Sequence, residues 1–236
     1  TRARAGSKSF PAPLAIPAWK RPLDLLLLLA ISPFILPLML AIALSIKVLS
    51  RGPVLFRQIR IGYGGRRFEL LKFRTMKVNA DTQIHSAHLE QLIKSDAPMT
   101  KLDLADPRLI PGGRWLRATG LDELPQLLNV LRGDMSLVGP RPCMEYEAEK
   151  FDVSHQQRFG SLPGLTGLWQ VSGKNRLSFP EMIRLDVCYV ENPSLLLDLK
   201  ILLKTPLAIL RQVEDTVEAQ RRTSSEVPGQ SRPADA

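Results

Sequence analysis

The run from Leu23 to Leu49 constrains this chain more than any other feature, because it is almost unbroken in its apolarity, with one acid (Asp24) and one base (Lys47). It is long enough to cross a hydrocarbon core of roughly 30 Å. In such surroundings each backbone N–H and C=O must find its partner within the protein, so the run is expected to be helical. Pro33 and Pro37 lie near its middle. Pro33 removes a backbone donor and biases Ser32 away from helix, so a sharp bend is expected at Ser32-Pro33, with Ser32 able to serve a freed carbonyl. Charge gives a second clue. Lys20 and Arg21 precede the run and Arg51, Arg57, Arg60, Arg66, Arg67 and Lys72 follow it. Positive charge favours the cytoplasmic side, so both ends are drawn to that side and a helix that enters and returns satisfies them. The alternative is one tilted spanning helix that tolerates its prolines.

With 236 residues the chain can bury one sizeable core, and a single folded body is expected beyond the apolar run. Its 32 Lys and Arg exceed its 23 Asp and Glu, giving a net charge of +9. That excess suits an anionic membrane surface, a phosphate-rich substrate or nucleic acid. Nucleic acid is the weakest of the three: aromatic residues are 6%, no nucleic-acid module is recognisable, and the apolar run would have no purpose. The two cysteines, Cys143 and Cys188, form no Cys-x-x-Cys pair, and no secretory cleavage pattern is present, which suits a reducing cytoplasmic setting for the soluble part. His85 and His88 lie three apart, but a zinc site needs further ligands that the sequence does not supply.

The second organising stretch is Arg114 to Pro142. Leu124, Leu127, Leu128 and Leu131 recur at the spacing of one helical face, with Gln126 and Asn129 opposite. Pro125 is tolerated only in a first turn, so the helix is expected to start within a residue or two of Asp122 and Glu123, and Gly133 to end it. Two adjacent carboxylates at a helix start can act as capping groups, which is their commonest use. They can also serve a metal or a phosphorylated substrate, since Arg117 and the Gly-Pro-Arg-Pro turn holding Arg141 lie close in sequence and arginine's planar fork fits phosphate oxygens.

The run Asp122-Glu-Leu-Pro-Gln-Leu127, followed by Arg132-Gly-Asp-Met-Ser-Leu-Val-Gly-Pro-Arg-Pro142, resembles the signature of the bacterial sugar transferases, the monotopic polyprenyl-phosphate phosphoglycosyl transferases that initiate exopolysaccharides. The resemblance runs from about Lys20 to about Pro206. It implies an α+β, mainly helical fold: an N-terminal re-entrant membrane helix hairpin broken at Ser-Pro, a small β-hairpin and a catalytic domain on the cytoplasmic face of the bacterial inner membrane. The expected divisions are a flexible basic leader at 1–19, the membrane helix at 20–50, a catalytic domain with interfacial helices at 51–213 and a disordered tail at 214–236. The chain does not begin with Met, and a processed or truncated start is expected.

Between these landmarks, Val54–Ile61 and Arg67–Arg74 flank the turn-forming Gly62-Tyr-Gly-Gly65 and read as a β-hairpin. Lys72 and Arg74 at its end match the family pattern, though a headgroup-facing or solvated surface explains basic residues equally simply. Residues 80–95 read as a helix and 101–108 as a loop. Leu162 to Phe179 is rich in glycine and hydroxyls; Thr166, Asn175 and Arg176 are materials for an anion-binding loop, although glycine-rich turns are more often only turns. Here the chain departs from the family text, with Leu162 where arginine is usual and Lys174 where arginine is common; Arg158 is the candidate replacement for the first. Asp186 matches a family position, and pairing with a nearby arginine is its plain alternative. Residues 195–213, apolar with Lys200, Lys204 and Arg211 set in, can lie at a membrane interface or pack as a core helix.

The resemblance implies a reaction. Asp122 would attack the β-phosphate of a UDP-sugar, UMP would leave, and a polyprenyl phosphate would take the phosphosugar from the enzyme. Glu123 would hold Mg2+, and Lys72, Arg74, Arg117, Arg141, Thr166, Asn175, Arg176 and Asp186 would line the substrate site. The sequence leaves the sugar and any oligomeric state open.

Overall fold

In a computed structural model of the chain, the described residues are 10, 12–78, 98 and 106–225. The expected helix at 80–95, the histidines within it and most of the loop at 101–108 lie outside them. Among the described residues the fold is mainly helical, with two small two-stranded sheets and one long apolar helix.

That helix, α1 (Lys20–Leu49), has 30 residues. Among the described residues it alone is long and apolar enough to cross a membrane, with a mean hydropathy of 2.7. Its side chains are widely exposed, Phe34 at 79% and Val48 at 83%, as lipid-facing residues would be. The bend expected at Ser32-Pro33 does not interrupt the helix, which continues through Pro33 and Pro37. The reason is local. Pro33 withdraws the N–H that would have reached the Leu29 carbonyl, and Ser32 Oγ donates to that same oxygen at 2.8 Å. Both halves of α1 pack on one body: Leu27, Leu28 and Ile35 against a core that includes Val130 and Met135, and Met39, Ile42 and Ile46 against Phe73 and Ile110. Leu124 borders both groups.

The two ends of α1 are also held by polar contacts. Lys20 Nζ donates to Tyr189 Oη at 2.8 Å and to Asp198 Oδ2 at 2.6 Å. Asp24 Oδ1 accepts from Ser136 Oγ and Leu137 N at 3.1 and 2.9 Å. At the far end, Arg74 donates to the Oγ and carbonyl of Ser50 at 3.0 and 3.1 Å.

The expected hairpin forms from β1 (Leu55–Ile61) and β2 (Arg67–Phe73), antiparallel, around a 3-10 turn at Tyr63–Gly65. After it come α2 (Gly113–Thr119), a 3-10 turn at Leu121–Glu123, and α3 (Gln126–Arg132), which ends at Gly133 with φ 81° as expected. Two expectations for this region need correction. Asp122 and Glu123 lie in the 3-10 turn and not in the first turn of α3, because Gly120, at φ 72°, reverses the chain after α2 and starts a separate turn. The buried face of α3 also differs: Gln126 and Asn129 are buried at 2% and 0%, while Leu128 and Leu131 are exposed at 37% and 56%. Asn129 goes inward because β2 has a free edge. Its Oδ1 accepts from Leu71 N at 3.0 Å and its Nδ2 donates to Glu69 O at 2.7 Å, so one amide side chain replaces a neighbouring strand.

Beyond α3, β3 (Ser136–Val138) pairs in parallel with β4 (Gly164–Thr166), a sheet that periodicity did not suggest. Gly139 and Gly164 allow the chain to come this close, since a Cβ on Gly139 would lie 2.2 Å from the Leu162 carbonyl oxygen and one on Gly164 2.1 Å from the Gly139 nitrogen. Between them lie α4 (Glu145–Lys150) and α5 (Val153–Gln156); α6 (Leu168–Val171) and α7 (Phe179–Glu191) follow β4. Phe151, Phe159, Trp169, Phe179 and Ile183 make an aromatic-rich core here. Part of the expected mobile leader reaches it: Phe10 stands edge-on to Phe159 at 5.1 Å, and Leu14 N donates to Gly160 O at 3.1 Å. Last comes α8 (Leu195–Ser225), 31 residues, which continues well past Glu214, where a disordered tail was expected. Glu, Ala, Gln and Arg fill residues 218–222, and their helix propensity carries the helix on where apolar periodicity ends.

Candidate active site

Asp122 and Glu123 follow directly on the reversal at Gly120, so their position is set by the end of α2 and by β2, which packs across from the turn. Asp122 is 8% exposed. Glu123 is more open, and its Oε1 meets Lys72 Nζ at 3.0 Å, the two side chains being 38% and 22% exposed. Lys72 comes from β2, so the hairpin brings a cation to Glu123. Arg74, two residues on, is placed differently. It is 5% exposed, and its guanidinium is engaged by Ser50 and the Pro53 carbonyl at the exit of α1.

Arg141 and Thr166 are brought together by the β3–β4 pair, because Gly164 N donates to Pro140 O at 2.8 Å and Gly139 N to Thr166 O at 2.9 Å. Asp186 lies beneath this turn and is 1% exposed. It pairs with the buried Arg158, whose Nη2 also donates to the Arg141 carbonyl at 2.9 Å. Burial pushes the Asp186 carboxyl up to about 6, against the opposite pull of Arg158 and Arg141. Thus Arg158, considered for the role of the missing arginine at 162, braces the turn that carries Arg141, and Asp186 is its counter-ion. Leu162 itself is buried at 7%.

Asn175 and Arg176 lie in a 3-10 turn at Lys174–Arg176, and Arg176 Nη2 meets Asp215 Oδ1 on α8 at 2.9 Å. Sequence reasoning missed how α8 joins these parts. Asp198, Thr205 and Gln212 are seven apart, two helical turns each, and so lie along one line. Asp198 holds Lys20; Thr205 Oγ1 is 2.9 Å from Thr166 Oγ1; Gln212 Nε2 donates to the carbonyls of Arg117 and Ala118 at 3.1 and 2.8 Å. Gln212 Oε1 also accepts from Lys174 Nζ. One buried glutamine therefore ties the last turn of α2, just before the acid pair, to the glycine-rich turn. The seven-residue polar spacing in an apolar run was the available signal.

Among the described residues no group of three or more His, Cys, Asp and Glu could hold a metal. The two adjacent carboxylates of Asp122 and Glu123 would fit a cation that needs one or two carboxylates and completes its shell with water and phosphate oxygens, as magnesium does.

Comparison with known proteins gives the family. Residues 16–212 match the family model described as bacterial sugar transferase. The exopolysaccharide production protein ExoY of Sinorhizobium fredii is 41% identical over 196 residues, which are 80% of this chain and 84% of that protein. A UDP-glucose:undecaprenyl-phosphate glucose-1-phosphate transferase of Caulobacter vibrioides is 40% identical over 205 residues, 84% of this chain and 72% of the relative. The UDP-galactose-lipid carrier transferase of Erwinia amylovora is 41% identical over 202 residues, 82% of this chain but 40% of the longer relative. A match over most of its length, with the acid pair, the Gly-Pro-Arg-Pro turn and the glycine-rich turn inside it, means that this chain belongs to the bacterial sugar transferase family.

Proposed function

We propose that this chain transfers a sugar 1-phosphate from a UDP-sugar to a polyprenyl phosphate, at the cytoplasmic face of a bacterial inner membrane, as a first membrane step in exopolysaccharide or glycoconjugate synthesis. The observation that carries this reading is the adjacent pair of the buried Asp122 and Glu123, the latter meeting Lys72, within a body attached to an apolar helix. The relatives named for UDP-sugar and undecaprenyl-phosphate chemistry support it.

In this reading an Asp122 carboxylate oxygen bonds to the β-phosphorus of the UDP-sugar. The bond from that phosphorus to the bridging oxygen breaks, and UMP leaves with the electron pair. A phosphate oxygen of the acceptor then bonds to the same phosphorus and Asp122 is released, giving a polyprenyl diphosphate sugar. No net proton transfer is required, and ping-pong kinetics follow from the covalent intermediate. Lys72, Arg117, Arg141 and Arg176 supply positive charge for phosphate oxygens, with Thr166 and Asn175 as neutral partners. Magnesium, held by Glu123, would offset charge on the diphosphate. In this reading both ends of α1 stay on one side of the membrane; its two halves packing on one body and its two polar-tethered ends support this over a spanning path.

Incubation with undecaprenyl phosphate and a panel of UDP-sugars tests the proposal. At least one sugar nucleotide should yield UMP and a lipid diphosphate product. Release of UDP instead would mean a glycosyltransferase moving only the sugar, and vesicle binding without nucleotide turnover would mean a membrane adaptor.

A further inference from the structure

Between the Gly173–Arg176 turn and α8 lies an open groove whose charged lining is Lys174, Arg176, Arg211 and Asp215. Three cations and one carboxylate leave two positive charges, which complements a phosphate monoester near neutral pH. Arg211 is exposed, and among the described residues it makes no ion pair. The groove is tied to the acid pair's supporting helix through Gln212, which also forms part of its wall.

The outer side of α8 adds a second, different feature. Leu203, Leu207 and Leu210 are 81%, 49% and 61% exposed and follow one another at helical spacing. Lys200, Lys204 and Arg211 run at i, i+4 and i+11, which on a helix of 3.6 residues per turn is a single line between those leucines and the groove-lining Ala208 and Gln212. A basic cleft with an apolar strip along its rim fits a ligand that is anionic at one end and hydrocarbon at the other. A sugar nucleotide has no part that would favour the leucines.

We propose that this groove receives the phosphate of the lipid acceptor, and that the acceptor's hydrocarbon chain lies along Leu203, Leu207 and Leu210. The inference rests on the transfer reaction proposed above and adds where its second substrate enters. The two substrates then approach the acid pair from different walls: the nucleotide from the β2 and β3–β4 side, the lipid along α8.

In ping-pong kinetics kcat/KM for each substrate reports its own half-reaction, so the test is a comparison of the two in the full chain reconstituted in detergent micelles. Arg211→Glu should lower kcat/KM for undecaprenyl phosphate about tenfold or more and leave that for the UDP-sugar within about twofold, while Arg211→Lys should recover most of the loss. An equal fall for both substrates, a fall for the nucleotide alone, or no change would overturn the assignment while leaving the transfer reaction standing. A direct readout covers the case in which no UDP-sugar is turned over. Dodecyl phosphate should then bind the wild-type chain more tightly than Arg211→Glu, and inorganic phosphate at the same concentration should not compete. Equal competition by inorganic phosphate would assign the groove to free phosphate, and parallel loss of binding to phosphatidylglycerol vesicles would assign it to bulk lipid; either overturns the proposal.

Discussion

Asp122 and Glu123 are adjacent in sequence yet differ in setting, and the difference suits two roles. The more buried Asp122 would keep a covalent phosphosugar away from water, whereas the open Glu123, already facing a cation, can reach a metal. Asp122→Asn should therefore abolish both turnover and the trapped adduct, a loss of at least about a thousandfold, with membrane association retained. A rate near that of the parent would refute the nucleophile. Glu123→Gln should slow the reaction and weaken its dependence on Mg2+, read from the metal concentration giving half-maximal rate. Asp186 makes a prediction in pH. Its folded-state pKa, about 6, stands above the usual 3.8, so between those values the folded chain holds a proton that the unfolded chain has lost. Its contribution to stability is thus fully present below about pH 4 and falls as pH rises to about 6, by about 3 kcal/mol. The stability of the parent relative to Asp186→Asn should fall across that range in denaturation experiments on the solubilised protein; a constant difference would contradict the assignment.

At the scale of elements, α3 shows how a polar contact can set which side of a helix is buried. Leucine spacing pointed to Leu128 and Leu131 as core residues, but the free edge of β2 needs a donor and an acceptor, and Asn129 supplies both. Asn129→Leu should leave the Leu71 amide and Glu69 carbonyl without those partners and cost about 2–4 kcal/mol, measured from the unfolding midpoint. A cost below about 0.5 kcal/mol would show that other groups serve the strand. The same contrast explains what was legible beforehand. The apolar run, the hairpin around Gly62 to Gly65, and the C-terminal glycine of α3 each follow from local chemistry within a short window. The parallel β3–β4 pair, the Arg158–Asp186 brace and the Gln212 tie join residues far apart in sequence, and no local period encodes such partners. Within the site, the Lys72 contact with Glu123 joins residues 51 apart and no local pattern announces it, and Arg74 is committed to Ser50 by a carbonyl and hydroxyl that composition does not reveal. α8 outlasted its apolar pattern because helix propensity and the Asp215 contact with Arg176 take over beyond Glu214.

For the whole molecule, the proposed reaction requires a body that meets both a soluble nucleotide and a lipid phosphate, and the packing of α1 bears on how such a body would sit on a membrane. A straight helix of 30 residues would be about 45 Å long, more than a bilayer core of roughly 30 Å requires. Yet the Lys20–Tyr189–Asp198 contacts hold its beginning, and the Ser50–Arg74 contacts hold its exit, on the same folded body. Crossing the membrane would separate these ends and leave the buried Asp198 without its Lys20 partner, a penalty of about 3–5 kcal/mol for the broken pair. On the proposed re-entrant path these tethers and the basic residues flanking the run are satisfied together. This can be read directly from accessibility. In a variant with Cys143 and Cys188 replaced, Ala15→Cys and Arg51→Cys, both at exposed positions on either side of α1, would be labelled one at a time with a membrane-impermeant maleimide. Both should react in inside-out vesicles and neither in intact spheroplasts. Labelling of Ala15→Cys only from outside, with Arg51→Cys only from inside, would establish a spanning helix and require the Lys20 and Asp24 contacts to be abandoned in the membrane.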